Sequence, residues 1–322
     1  MKKCLFIVPY FGKLPNTFPM FLKSCYKNQD FNWLIITDDT TDYDYPENVT
    51  RIQMNFNDIV DLFEKKLGMK IVLDTPMKLC DFKPIFGMAF EEYLSDYKFW
   101  GNCDLDIVLG QLNNFITNEM LETYDKIFEL GHLILYRNLK EVNYLFKQKI
   151  NGIYWYKKVF KTDKICGFDE TWENDQNINT IFLNNGKKVF RKSFALDIST
   201  IPTKFNEIKY NPQKMLFKLE EEPQSKFLCV WERGKIRRYF LNQDENIEFK
   251  EYLYIHYQDR KMTLDPLFYN SYKIKIIPEY IGPLEVDKLT PQNFNKVKKF
   301  KPNISTIKHY IHYFLNKKVY YG

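Results

Sequence analysis

The 322-residue chain is sparing with glycine and proline, 12 and 14 residues, which argues against linkers and low-complexity arrays. Its six cysteines (Cys4, Cys25, Cys80, Cys103, Cys166 and Cys229) are scattered, with no CxxC pair and no Cys/His ligand spacing. Neither a disulfide framework nor a zinc knuckle is expected. Most of these cysteines sit in apolar runs and read as small buried hydrophobes. No run of 18 apolar residues occurs, so no membrane-spanning helix is expected. GxGxxG is missing after the first apolar run, and GxxxxGK[ST], GxSxG and HExxH are missing throughout. A dinucleotide Rossmann site, a P-loop, a nucleophile elbow and a zinc-protease helix therefore lack support. Met1 to Tyr10 has the outline of a secretory leader, but the apolar stretch is short, breaks at Pro9 and has no small-residue cleavage site. It reads better as a buried strand, and a cytosolic chain is expected.

Hydrophobic residues at 45% and charged residues at 27% describe an ordinary folded protein, with length enough for one large domain or two modest ones. Aromatic residues reach 17%, with 28 Phe and 23 Tyr. A core can absorb the Phe, whereas that much Tyr implies amphipathic surfaces as well. The net charge of +6 is too weak to announce a nucleic-acid binder, and no nucleic-acid partner is expected.

Apolar runs at Cys4–Val8 and Trp33–Thr37, with a shorter one near Val49–Met54, predict strands buried on both faces. Between them, Phe18, Phe21, Leu22 and Cys25 share a helical stripe, and a second helix is expected from an Asn57 cap to a stop at Gly68. Ile71–Leu73 suggests a further short strand. Phe82, Ile85, Phe86, Ala89, Phe90, Tyr93 and Leu94 predict an amphipathic helix capped by Asp81, with Pro84 in its first turn. It leads into Phe99–Leu109. This alternation points to an α/β fold with a mostly parallel sheet over about residues 1–110. Beyond it the pattern loosens: strands are expected at His132–Tyr136, Tyr252–Tyr257 and Ile274–Ile277, and a short helix at Leu139–Lys149.

Asp104 and Asp106 are the leading chemical candidates. Carboxylates at i and i+2 of an extended segment lie on one side and can converge on a hard cation, Mn²⁺ or Mg²⁺. Asp42-Tyr43-Asp44 has the same spacing but sits in an acidic, Pro-bounded loop. The first pair closes an α/β unit, where open sheets place ligands. A solvated turn is the bland alternative. His256 ends an apolar strand and can complete such a cation site, and Arg260 and Lys261 just beyond it can neutralise phosphate oxygens. Lys78, Asp81 and Lys83 cluster at a predicted helix start, where lysines oppose the macrodipole and signal an anionic ligand, unless they form a solvated first turn. Asp38 follows the second strand and can accept hydrogen bonds from a ribose or uracil, or serve a polar turn. Asp169 or Glu170, in Gly167-Phe168-Asp169-Glu170, can act as general base toward an acceptor hydroxyl, a charged surface loop being the alternative.

Lys78-Leu-Cys-Asp81-Phe-Lys83-Pro84, then Phe-Trp-Gly-Asn-Cys-Asp104-Leu-Asp106, resembles bacterial capsule and lipopolysaccharide polysaccharide-biosynthesis glycosyltransferases of the GT-A fold. Gly131–Asn138, Phe168-Asp169-Glu170 and Tyr254–Met262 look like later blocks of the same group. The resemblance implies a Rossmann-type GT-A-like sheet with a C-terminal elaboration and a UDP-sugar donor carrying a hexose. It implies Mn²⁺ or Mg²⁺ on Asp104, Asp106 and His256, with Lys78, Asp81 and Lys83 near the donor and Asp38 near the nucleoside. Arg260 or Lys261 would assist the departing diphosphate, and the acceptor would be a glycan or lipid-linked oligosaccharide. Residues 1–290 are then expected to form the catalytic domain, with a nucleotide-sugar half at 1–110 and an acceptor half at 111–290. Two other readings stay open: a sugar-phosphate transferase or nucleotidyltransferase, and a nucleic-acid binder.

The tail at 291–322 changes character. After Asp287 there is no acid, while Lys288, Lys296, Lys298, Lys299, Lys301, Lys308, Lys317 and Lys318 accumulate. Ile304, Ile307, Ile311 and Phe314 share one helical face. A basic amphipathic helix on the inner face of the cytoplasmic membrane is expected, with a helix docked on the body as the alternative.

Overall fold

A computed structural model describes residues 2–171, 175–198, 205–220, 227–258 and 262–297. The fold is mixed α/β with three sheets among these residues. Strand β1 (Lys2–Pro9) is followed by helix α1 (Phe18–Tyr26), β2 (Phe31–Thr37), β3 (Val49–Gln53), helix α2 (Phe56–Leu67) and β4 (Tyr97–Cys103). β1 pairs in parallel with β2 and with β4, and β2 pairs in parallel with β3. The order β3-β2-β1-β4 therefore runs outward from β1 in one direction and resumes on its other side. Such a reversal opens a crevice at the carboxyl ends of the two strands.

The first run is continuously apolar because both faces of β1 are covered. Leu5 and Ile7 pack with Phe63 of α2 and with Phe82, Phe86 and Trp100. Cys4, Phe6 and Val8 face the other way, onto Phe18, Phe21 and Cys25 of α1. Side chains alternate along a strand, so a two-faced core needs an unbroken run.

Next come β5 (Ile107–Leu109), β6 (Lys126–Ile127), β7 (Leu133–Arg137), β8 (Val189–Phe190) and β9 (Ala195–Ile198). β7 runs antiparallel to β4, β6 antiparallel to β7, and β8 parallel to β6, completing a seven-stranded sheet. After these lie β10 (Phe205–Asn211), β11 (Leu216–Leu219), β12 (Leu228–Glu232), β13 (Lys235–Leu241), β14 (Ile247–Tyr252), β15 (Tyr254–His256), β16 (Thr263–Leu264), β17 (Lys273–Ile277) and β18 (Tyr280–Pro283). A second sheet has the order β11-β10-β9-β15-β5, and a third β14-β13-β12-β17-β18-β16. β5 and β15 thus tie the crevice to the second sheet.

Several predicted elements are corrected. The continuous helix expected over residues 82–94 is a 3-10 helix at Pro76–Ile85, a single α turn at Phe86–Ala89 and a 3-10 turn at Glu91–Tyr93. Pro84 lies inside the first piece and cannot donate a backbone bond. Gly87 then lies so close to the Trp100 indole that a Cβ there would fall 2.2 Å from it. Asp81 is not a cap but a buried member of the 3-10 helix. Helix α2 is capped by Asn55, in a capping box with Asp58, rather than by Asn57; it stops at Gly68, whose φ of 66° suits glycine. Residues 71–73 form no strand, although the Val72 N–H donates to the Phe160 carbonyl. The expected helix at Leu139–Lys149 is an α turn at Lys140–Asn143 and a 3-10 turn at Leu145–Lys147. The tail is described only through the helix Pro291–Val297, so the rest of the predicted amphipathic helix lies outside the described residues. Among the described residues no helix is long and apolar enough to cross a membrane.

Candidate active site

At the crevice lies a cleft of about 560 Å³. The end of β1, with Pro9, Tyr10 and Phe11, forms one wall; Met77, Cys80 and Lys83 form another; Asn102 to Asp106, His256 and Gln258 form the floor.

The floor follows from strand register. β4 ends at Cys103, and β5 begins at Ile107 in a different sheet. The link Asp104-Leu105-Asp106 spans the junction, with Leu105 buried in the core beneath it. A buried i+1 residue leaves its two neighbours facing the opposite side. The Asp104 N–H donates to the His132 carbonyl at 3.0 Å, and the Asp106 carbonyl accepts the Tyr257 N–H at 2.9 Å. β15 pairs antiparallel with β5, setting His256 opposite Ile107 and hence beside Asp106. Ligand-type atoms of Asp104, Asp106 and His256 lie within 4.8 Å of one another. Two carboxylates and an imidazole suit a borderline-hard divalent cation such as Mn²⁺, and the donor set fits one.

His256 Nε2 lies 3.2 Å from Asp106 Oδ2, and Nδ1 lies 3.1 Å from Asp197 Oδ1. Burial opposes charge on the ring, but Asp106 and Asp197 outweigh it and hold the His256 pKa well above the usual histidine range. The His132 ring lies against His256, centroids 3.8 Å apart. Burial, reinforced by His256, holds His132 below that range.

Lys83 spans the upper wall. Its ammonium donates to Asp104 Oδ1 at 2.7 Å and to the Gly131 carbonyl at 3.0 Å, and lies 3.4 Å from Asp169 Oδ2. Burial would lower its pKa, yet Asp104 and Asp169 raise it well above the ordinary lysine value. Asp169 moves up to about 8: burial drives this rise, and Lys83 opposes it. Lys83 therefore stays an ammonium, shared unequally between two acids. Glu170 Oε2 accepts the Gly131 N–H at 2.9 Å. Gly131 has no room for a side chain, because a Cβ would stand 2.5 Å from Asp169 Oδ2.

The sequence candidates thus divide by position. Asp104, Asp106, His256 and Lys83 converge on the cleft. Asp38 follows β2 and accepts the Gly12 N–H at 2.7 Å, in the turn that continues the Tyr10–Phe11 wall. Asp169 and Glu170 are not among the cleft-lining residues; they turn toward Lys83 and Gly131. Lys78 and Asp81 are also turned away. They form a buried ion pair at 2.7 Å, with exposures of 1% and 0%. Asp81 also accepts the Cys166 and Phe168 N–H groups at 2.9 and 2.8 Å. Arg260 and Lys261 lie outside the described residues.

Three further residues escaped the sequence reading. Asp197 and His132 belong to the cluster around His256, and Gln258 lines the cleft. Asp197 had a readable signal, since it is an acid inside the apolar run Ala195-Leu196-Asp197-Ile198. A buried acid demands a partner.

The chain belongs to a family of unknown function, DUF6625, which it matches over residues 6–285. No curated protein matches it. Among solved structures, it is similar to the galactosyltransferase LgtC in complex with donor and acceptor sugar analogs. That likeness has 12% identity and a TM-score of 0.34, covering 62% of this chain and 76% of the other. It is also similar to an active-site mutant of LgtC, at 9% identity and a TM-score of 0.33, with the same coverage. Overlap this loose fixes neither substrate nor site.

Proposed function

We propose that this member of the DUF6625 family is a metal-dependent glycosyltransferase of GT-A type. It would move a hexose, galactose or glucose favoured, from a UDP-sugar to a glycan acceptor in the synthesis of capsule, lipopolysaccharide or another surface polysaccharide. One observation carries the reading: Asp104, Asp106 and His256 bring ligand atoms within 4.8 Å at the strand-order reversal of a parallel sheet, on the floor of a 560 Å³ cleft.

Asp104, Asp106 and His256 would hold the cation, which when bound offsets charge on the departing diphosphate. Lys83 fixes the Asp104 carboxylate by its 2.7 Å bond and adds a positive charge beside the phosphate position. Tyr10 and Phe11 offer aromatic surface to the nucleoside, with Asp38 behind them at the end of β2. Lys78 and Asp81 serve the donor indirectly, by anchoring the 166–168 segment that leads to Asp169. Arg260 and Lys261 follow the cleft residue Gln258 in sequence and are assigned to the diphosphate on that ground. Asp169 and Glu170, as placed, support Lys83 and Gly131; a base role would require one of them to turn toward the acceptor. The basic tail supports a cytoplasmic enzyme held at the inner membrane face, near a lipid-linked acceptor.

The test is a nucleotide-sugar hydrolysis screen with and without Mn²⁺. Release of UDP from one hexose donor, dependent on Mn²⁺, is the expected result. Release of nucleoside monophosphate or pyrophosphate would instead identify a sugar-phosphate transferase or nucleotidyltransferase. No turnover with any donor would remove the assignment.

A further inference from the structure

We propose that Asp197 is a positioning residue for His256. Its carboxylate holds the ring by Nδ1–H and thereby directs Nε2 at the cation site formed with Asp104 and Asp106, where a bound cation would take the place of the Nε2 proton. This rests on the metal-centre reading above and adds a residue that the reading does not require.

β15 runs parallel to β9 with His256 in register with Asp197, so the backbone itself sets the two side by side. Asp197 Oδ1 lies 3.1 Å from His256 Nδ1, while Nε2 on the far side of the ring lies 3.2 Å from Asp106 Oδ2. The two nitrogens of an imidazole point in different directions, so the partner of one decides which is left for a cation. The Asp197 carboxylate is fixed in turn. Oδ1 accepts the Ile198 N–H at 2.7 Å, and Oδ2 accepts the Gln258 amide at 3.3 Å. Asp197 is 1% exposed, so bulk water does not compete for these bonds. The ring has little freedom to turn over, because His132 lies on its face at 30°. His132 is itself held, with Nδ1 3.4 Å from the Tyr254 hydroxyl.

A carboxylate that accepts Nδ1–H fixes the tautomer and makes Nε2 a better donor to the metal. Loss of such a partner weakens metal binding about 10–100-fold. The competing arrangement is specific: His132, Asp197 and His256 also bring ligand atoms within 4.8 Å of one another and could hold an ion on the Nδ1 side. In that case Asp197 would be a ligand and His256 would bind through the other nitrogen.

The full chain is titrated with Mn²⁺ alone, free ion being followed by electron paramagnetic resonance. Asp197→Asn, which keeps shape and one acceptor oxygen, is expected to weaken Mn²⁺ about tenfold or more, with its melting temperature little changed. On a His256→Ala background the same substitution should change affinity less than about twofold, because Asp197 acts only through the ring. Unchanged affinity in Asp197→Asn, or an equal loss without His256, overturns the inference and leaves the metal reading standing. A wild-type chain that binds no Mn²⁺ removes both. Should the variant not fold, ring ¹⁵N spectra of the Mg²⁺-loaded wild type decide: Nδ1 protonated is expected, and Nε2 protonated with Nδ1 bare overturns the proposal.

Discussion

Replacing Asp81 by alanine should destabilise the protein by about 3–5 kcal/mol, the usual cost of breaking a buried ion pair from one side. Three donors lose their acceptor at once: the Lys78 ammonium at 2.7 Å, the Cys166 N–H at 2.9 Å and the Phe168 N–H at 2.8 Å. Each orphaned amide costs about 1–3 kcal/mol if it stays buried. Lys78 would keep only the Lys164 carbonyl. These losses do not add, because the amides of residues 166 and 168 can find water once the acid is gone, and the total stays near the cost of the broken ion pair. Lys78→Met should cost less, since two backbone amides still solvate the Asp81 carboxylate. The cycle of both changes should give a coupling of about 1–3 kcal/mol. Urea unfolding followed by tryptophan fluorescence measures all four proteins, provided the slopes agree. An Asp81→Ala protein within 1 kcal/mol of wild type that has lost UDP binding would refute the reasoning. Asp81 would then be a ligand contact and not an anchor.

Asp104→Ala and Asp106→Ala should each abolish Mn²⁺-dependent donor turnover without loss of folding by circular dichroism; wild-type turnover in either would remove the metal site. Lys126 is buried and its pKa is lowered to about 7, chiefly by that burial. Its depressed folded pKa means that the unfolded chain binds the extra proton above pH 7, so this residue's contribution to stability rises with pH toward about 10.5. The stability advantage of Lys126→Met over wild type should therefore shrink by about 2 kcal/mol between about pH 7 and 8.5 in parallel denaturant titrations; a pH-independent gap would show Lys126 to be charged in the fold. Deleting residues 298–322 should reduce sedimentation with anionic vesicles far more than turnover of a soluble acceptor, and unchanged sedimentation would end the surface-helix idea.

The parallel half of the fold was legible because burial on both faces leaves a visible mark. Cys4–Val8 and Trp33–Thr37 have no polar interruption, and a strand covered on one side only would alternate. The same reasoning misread residues 82–94. Apolar spacing there fits an α-helix, but it records only which side chains are buried. Pro84 and the contact of Gly87 with Trp100 decide the backbone, and that contact lies 13 residues away in sequence. Beyond the strands expected at Tyr252–Tyr257 and Ile274–Ile277, the second and third sheets were hidden for a different reason. In β13 and β14 charge breaks the apolar pattern on both sides: Lys235, Arg237 and Glu251 share one face and Arg238, Glu248 and Lys250 the other, and strands so charged look like loops.

The site divides along the same line. Asp104 and Asp106 could be read locally because i, i+2 geometry needs no distant partner. His256 was recognisable only through its place at the end of an apolar run, and its meaning comes from a pairing with β5 across 149 residues. Lys78 and Asp81 show the converse hazard. Two charges at i, i+3 on a helix start look like a ligand cradle in sequence, yet burial turned them toward the backbone of residues 164–168. A carboxylate supplied with two amides and an ammonium has little capacity left for a substrate. Asp104 differs. It meets Lys83 at 2.7 Å, and its side chain keeps 27% exposure at the floor of the cleft. Residual access separates an acid able to reach a cation from one committed to the fold, and sequence spacing cannot report it.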